Sequence, residues 1–297
     1  MNKRITKDWM ASKVFYSLAL FSVLVLIAMG IGLFLKSLPL LKINSLTDIF
    51  LSTEWKPSKG LFGFWAYLYG TLYVTFISLL IGIPLALFTA IYLSEYASYK
   101  VRKTILPLVD LLSGIPPVIY GVWGVLVIVP LIEKLAGKFS IYSSGYSALA
   151  GGIVLSVMII PLMVSVLIEV FQNIPQELRN ASLSLGANSW ETTYKVLLKS
   201  SLAGIIAAIV LALSRALGET IAVLMVCGNM PIIPNSIFES VYPLPALIAN
   251  NYGEMLSVPL YESALMLAAF ILFLVILVFN FIARVILHQL EKNTITN

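Results

Sequence analysis

The chain has 297 residues, of which 60% are hydrophobic and only 11% charged, and its mean hydropathy is +0.97. A soluble domain carries about 25% charged residues, so this composition marks an integral membrane protein and leaves no stretch that reads as a separate soluble domain. The net charge of +5 fits basic residues that hold loops on the cytoplasmic side, and gives no reason to expect nucleic acid. The single cysteine, Cys227, rules out an internal disulfide, and the lone His288 at the end of the last apolar run offers no metal set.

Lys3, Arg4, Lys7 and Lys13 precede an apolar stretch over about 14–35. It is longer than a signal-peptide core and no small-residue cleavage pattern follows, so it reads as a retained first transmembrane helix. Further apolar runs lie at 66–93, 105–132, 146–171, 202–227 and 261–287. Each meets the ~20 residues needed to cross a bilayer. The expected fold is all-α with six transmembrane helices, and six crossings put both termini on one side.

Basic residues choose that side. Four lie in the N-terminal segment, three in the 94–104 loop, three in the 172–201 loop and two (Arg284, Lys292) at the C-terminal end. The opposite loops hold six, all before residue 139, and the 228–260 loop holds none. Both termini are therefore expected in the cytoplasm. The organisation expected is an N-terminal segment with the first span and an outer loop (1–65), a five-helix core (66–287) and a cytoplasmic tail (288–297).

The third run is interrupted by Gly114-Ile115-Pro116-Pro117. Two prolines remove two backbone donors and disfavour helical geometry just before them. The freed carbonyls must face protein or a water-lined cavity, or the break only shapes helix packing. Asp110 and Tyr120 flank this stretch and are candidates for the edge of a path, with a solvated helix-end role equally open for Asp110. The loop from 228 to 260 carries five prolines and is expected to lie on the outer membrane surface or fold back over the path.

Between the fourth and fifth runs, Pro175 suits the start of a helix, Glu177 its first turn and Gly186 its end. Such an element can be a plain connector or can dock into a groove on a partner. In the fifth run, Arg215, Glu219 and Thr220 sit in otherwise apolar sequence. An Arg at mid-membrane costs ~2.5–3.5 kcal/mol on insertion scales. Its planar fork suits a tetrahedral oxyanion. Glu219, one turn further along a continuous helix, is the expected counter-charge.

The stretch 180–199 resembles the EAA loop of ABC importer permeases. Gly186 matches its glycine, Ala181 its first alanine and Leu198 its leucine, while Asn180, Ser182, Val196 and Lys199 replace the usual Glu, Ala, Ile and Pro. The blocks Leu111–Gly124 and Arg215–Asn229 resemble the PstC-type permeases of phosphate ABC importers, with Pro117 standing where a small residue is usual. The resemblance covers roughly 61–285.

It implies the type I ABC importer permease fold in the cytoplasmic (inner) membrane. It also implies a PstA-type second permease as heterodimer partner, an ATPase dimer inside, and an extracytoplasmic phosphate-binding protein. Glu177, Asn180, Ala181, Gly186, Ala187 and Trp190 would then face the ATPase, and Arg215, Glu219, Thr220, Asp110 and Tyr120 the substrate pathway. No nucleotide-cradling Gly-x-x-x-x-Gly-Lys motif occurs; Gly137-Lys138 is followed by Phe139. ATP and magnesium are therefore expected on the partner ATPase, with no cofactor and no catalytic residue in this chain. The alternatives are another oxyanion such as sulfate or molybdate, or an ion-coupled secondary transporter in which Glu219 carries a proton.

Overall fold

The computed structural model describes residues 2–253 and 258–295, with side chains described from 9 to 253 and from 258 to 289. The side chains of Lys3, Arg4, Lys7 and Lys292, counted above for orientation, lie outside the described residues. Within them the chain is helical, apart from a small two-stranded ribbon.

The long first helix, α1 (Asn2–Ile43), is followed by the short α2 (Leu46–Leu51) and the strands β1 (Trp55–Lys56) and β2 (Leu61–Phe62). Next come α3 (Trp65–Ile91), which runs into a π-helical turn at Tyr92–Tyr96, α4 (Tyr99–Ser113) and α5 (Pro117–Trp123). A π-helical turn at Gly124–Ile128 leads into α6 (Val129–Lys138), and α7 (Ala148–Gln172) follows. Then come α8 (Gln176–Ser184), α9 (Ser189–Thr192), a π-helical turn at Thr193–Leu197 and α10 (Leu198–Ser200). The remaining helices are α11 (Leu202–Gly218), α12 (Ile221–Val226), α13 (Leu244–Asn251) and α14 (Tyr261–Ile295).

Among the described residues, five helices are long and apolar enough to cross a membrane: Trp9–Ile43, Trp65–Tyr96, Pro117–Lys138, Ala148–Gln172 and Tyr261–Gln289. The fifth span in chain order, Leu202–Gly218, passes the same test only when joined to Ser189–Ser200, from which it is bent by 69°. The second, fourth and sixth spans fall within three residues of where the sequence placed them, and the first, expected at 14–35, runs longer at both ends. The third is displaced. It begins at Pro117, and residues 99–113 form a separate amphipathic helix. Val101, Ile105, Leu106 and Val109 make its stripe against the core, a helical spacing. Ser98 starts it by accepting the Val101 N–H at 3.5 Å, and Gly114–Pro116 ends it. Lys100, Arg102 and Lys103 stay at its solvated end. The sequence reading joined this helix to the span because its Leu and Ile content is high.

The centre of the bundle is α7. Over its most apolar 18 residues, 56% are buried, against none in the first span. Lipid tails supply no hydrophobic drive between helices, so close approach depends on small residues. The α3–α7 contact is the most extensive in the molecule, and Gly151 and Gly152 explain it. A Cβ on Gly152 would collide with the Ile77 side chain of α3, and one on Gly151 with Cys227. The first span packs on α14, where Phe34 meets Phe270 at 5.5 Å.

A second core closes one end of the bundle. Trp55 of β1 is ringed by Phe62, Phe64 and Tyr67, with ring centroids 5.2–5.3 Å away, and by Tyr261 at 6.1 Å. The 228–260 loop joins this core. Its helix α13 buries Leu244, Pro245, Ala246 and Leu247. The Asn251 Nδ2 donates to the Tyr242 hydroxyl at 3.1 Å, and Tyr261 donates to Asn251 Oδ1 at 2.7 Å. Through α13 the loop packs on α3, α12 and α14.

Candidate functional site

The fifth span breaks at the residues of interest. α11 ends at Gly218; Glu219 is extended (φ −70°, ψ 126°), and α12 restarts at Ile221. Glu219 therefore does not lie one turn below Arg215 on a continuous helix face, as the sequence reading supposed. Among the described residues, no ion pair or hydrogen bond reaches the Arg215 guanidinium; the four ion pairs are Lys36–Glu262, Lys56–Glu54, Arg179–Glu95 and Lys195–Glu191.

The break explains an order of charges that a continuous helix disfavours. Arg before Glu at i, i+4 is the weaker arrangement. Here Arg215 occupies the last turn of α11, beside orphaned carbonyls. Glu219 sits just ahead of α12, and its Oε1 accepts the N–H groups of Thr220 at 3.1 Å and Ala222 at 3.4 Å. Each charge thus faces the favourable end of its own half-helix. Thr220 adds a bond from its Oγ1 to the Gly218 carbonyl at 3.2 Å, which ties the two halves across the break.

Glu219 borders a crevice of about 10 Å³ between Thr71 and Thr75 of α3, Ala216 and Leu217 of α11, and Pro243 and Pro245. That is room for about one water, so no anion fits there. Arg215 is half-buried. Tyr120 is buried, and its hydroxyl donates to the Leu112 carbonyl at 2.7 Å. This bond satisfies a carbonyl at the end of α4, where Pro116 and Pro117 cannot donate. Asp110 is exposed on α4, and its Oδ1 accepts from Ser165 of α7 at 3.4 Å. It docks α4 onto α7 and is not part of the span.

The 174–199 segment folds as its sequence suggests. α8 carries Glu177 in its first turn and has no buried residue. Pro175 is its cap, one position before the expected start. Gly186 has φ +86° with open space around it, the left-handed geometry that glycine adopts at a helix end without steric cost. Glu177, Asn180 and Ala181 are exposed, and Ala187 is half-buried. Asn188 and Glu191 form a reciprocal capping box, at 2.8 and 3.1 Å. The Asn188 N–H and then Lys195 hold the Glu191 carboxyl, outside the spans, below its ordinary value. Trp190 is 57% exposed and stacks on Tyr194 with centroids 6.4 Å apart. With Leu183 and Leu185, the latter 90% exposed, they make an apolar surface that projects from the bundle.

A family model described as the binding-protein-dependent transport system inner membrane component matches residues 82–295. The chain belongs to this family. It is similar to the phosphate transport system permease protein PstC of Xylella fastidiosa (strain 9a5c), 33% identical over 260 residues, which are 82% of this chain and 80% of that one. It is also similar to the probable phosphate transport system permease protein PstC of Methanocaldococcus jannaschii, 33% identical over 282 residues and 89% of each chain. Among solved structures, a bacterial ABC transporter involved in the import of the acidic polysaccharide alginate superposes with a TM-score of 0.66. It is 17% identical, over 97% of this chain and 98% of that one. The MetNI methionine ABC transporter in an inward-facing conformation gives 0.58 at 21% identity, over 75% and 93%. At these identities the superpositions establish the fold, that of the type I ABC importer permeases. The protein is a multi-pass inner-membrane permease.

Within that fold, the structure sorts the residues singled out from sequence into separate places. Arg215, Glu219 and Thr220 gather at the break in the fifth span, and Tyr120 lies on α5, which packs on α12. Asp110 lies apart on α4. The 177–190 residues form one projecting element. Sequence reasoning missed Glu95 and Arg179, which join this element to the bundle. They are 84 positions apart, and no local pattern links them.

Proposed function

We propose that this permease conducts inorganic phosphate inward as one subunit of an ATP-driven importer. Arg215 carries the reading. It is a half-buried cation in the fifth span with no ion pair or hydrogen bond among the described residues, in a chain whose relatives bear the name of phosphate permeases. A cation left unpaired there has a use for a passing anion. Glu219 and Thr220 hold the helix break that presents Arg215, and Tyr120 ties the start of the third span to α4.

The second permease, of the PstA type, completes the path. An ATPase dimer binding ATP and magnesium docks on the apolar face of Leu183, Leu185, Trp190 and Tyr194, with Glu177, Asn180, Ala181, Gly186 and Ala187 around it. That arrangement sets both termini in the cytoplasm. An extracytoplasmic phosphate-binding protein delivers the ion at the end closed by the Trp55 cluster and α13. The chain itself binds no nucleotide and catalyses no reaction. An ion-coupled mechanism, with Glu219 carrying a proton, is the alternative that the test below separates.

The test is reconstitution of this chain with those partners in proteoliposomes. Labelled phosphate should enter only with internal-side ATP and the binding protein, and excess sulfate or molybdate should not compete. Uptake driven by a pH gradient without ATP, or equal competition by sulfate, would refute the reading.

A further inference from the structure

We infer that Arg179 and Glu95 form the strut that carries movement of the docking loop into the membrane bundle. The inference rests on the importer reading above and adds positioning residues to it.

α8 has no buried residue, so apolar burial does not fasten it to the bundle. Its most extensive contacts are with α9 and the π-helical turn after it, and include Ser182 Oγ to Thr192 Oγ1 at 2.9 Å. On the other side Arg179 crosses to the bundle. Its Nη2 and Nε donate to Glu95 Oε1 and Oε2 at 3.0 and 3.3 Å. Its Nη1 donates to the Ile174 carbonyl and its Nη2 to the Phe171 carbonyl, both at 2.8 Å.

One guanidinium therefore joins three elements. It holds α8, the carbonyl end of α7, and the π-helical turn that prolongs α3. α7 and α3 are the two helices with the most extensive mutual contact, and α7 also packs on α11, where Arg215 sits. A displacement of α8 is thus passed by four hydrogen bonds into the helices that flank the path.

The pair differs from the other ion pairs. Its side chains are 13% and 16% exposed, whereas every side chain in the other three pairs is at least 39% exposed. Exposed pairs contribute little and shift easily. A shielded, forked pair is stiffer, and its planar geometry is one that lysine cannot reproduce. A polar cavity of about 610 Å³ beside it, lined by Arg102, Gln172 and Gln176 among others, leaves room for α8 to move about this anchor.

The experiment uses the complete importer, with phosphate uptake and ATP hydrolysis measured separately in the same proteoliposomes. Residues along a coupling network shift coupling by amounts equivalent to about 2- to 30-fold. Arg179→Ala and Glu95→Gln should each lower phosphate imported per ATP by a factor in that range, with the complex recovered at wild-type yield. Arg179→Ala combined with Glu95→Gln should be no worse than the worse single change, because both remove one link. Arg179→Lys should restore only part of the ratio.

Glu95→Gln leaves α8 itself unaltered, so it decides the matter if Arg179→Ala fails to assemble. An unchanged ratio in Glu95→Gln, or uptake and hydrolysis falling in proportion to complex yield, would overturn the strut. A wild-type complex without ATP-driven phosphate uptake would instead overturn the function proposed above.

Discussion

Replacing Arg215 by Gln separates transport from stability, and the structure sets the sign of each. Arg215 lies thirteen residues beyond the start of α11 at Leu202, or ~20 Å at ~1.5 Å per residue. Its insertion costs ~2.5–3.5 kcal/mol near a helix centre. Its place in the last turn of α11 returns about 0.3–1 kcal/mol through the helix dipole. No ion pair returns the rest. A static Arg215–Glu219 pair would make removal of one partner cost about 3–5 kcal/mol. The unpaired geometry makes the change neutral or stabilising. Transport responds the other way. Charge-assisted hydrogen bonds to a passing phosphate contribute about 1.5–3 kcal/mol, so their loss should slow uptake by about 10- to 150-fold. The assay pairs thermal unfolding of the purified complex, followed by size-exclusion fluorescence, with labelled phosphate uptake. A variant that unfolds markedly earlier, or that transports at the normal rate, refutes the reasoning.

Other changes test other parts of the molecule. Gly186→Val forces a β-branched side chain into φ +86°, a strain of roughly 1–2 kcal/mol. Uptake per ATP should fall while the chain remains in the membrane, and normal coupling in that variant would count against the docking role. Tyr120→Phe removes the side-chain donor to the Leu112 carbonyl, which keeps the backbone N–H groups of Ile115 at 3.3 Å and of Gly114. The loss should be about 1–2 kcal/mol, read as faster amide exchange around 112–116, and unchanged exchange would show that the bond does not hold the break. Gly152→Val places a branched side chain against Ile77; overpacking of about 1–3 kcal/mol should lower the unfolding temperature, and an unshifted melt would mean that the α3–α7 contact relaxes freely. Cysteines introduced singly along 114–121 should react with water-soluble reagents in at least one transport state. Protection in every state would remove this segment from the path.

Much of this protein is legible from its sequence because lipid leaves few options. A run of about 20 apolar residues with its backbone bonded internally has to be a helix, so three spans appeared within a few residues of their places and the first was only underestimated in length. Local chemistry also placed α8, since Gly186 and the first-turn Glu177 act on their own neighbours. The amphipathic α4 was misjoined to the third span, although Pro116-Pro117 already marked the junction. The break at Glu219 was missed because the apolar run continues through it. Gly218 was the available signal, but a single glycine does not end a helix by composition alone. What ends it is tertiary. Glu219 turns to the α12 amides, and its side chain settles in a crevice closed by Thr71, Thr75 and Pro243, residues from other parts of the chain. The Arg179–Glu95 link is beyond any local pattern for the same reason. A sequence sets which side chains carry charge and where helices can run, while packing decides which charges meet, because partners 84 positions apart become neighbours only when the bundle closes.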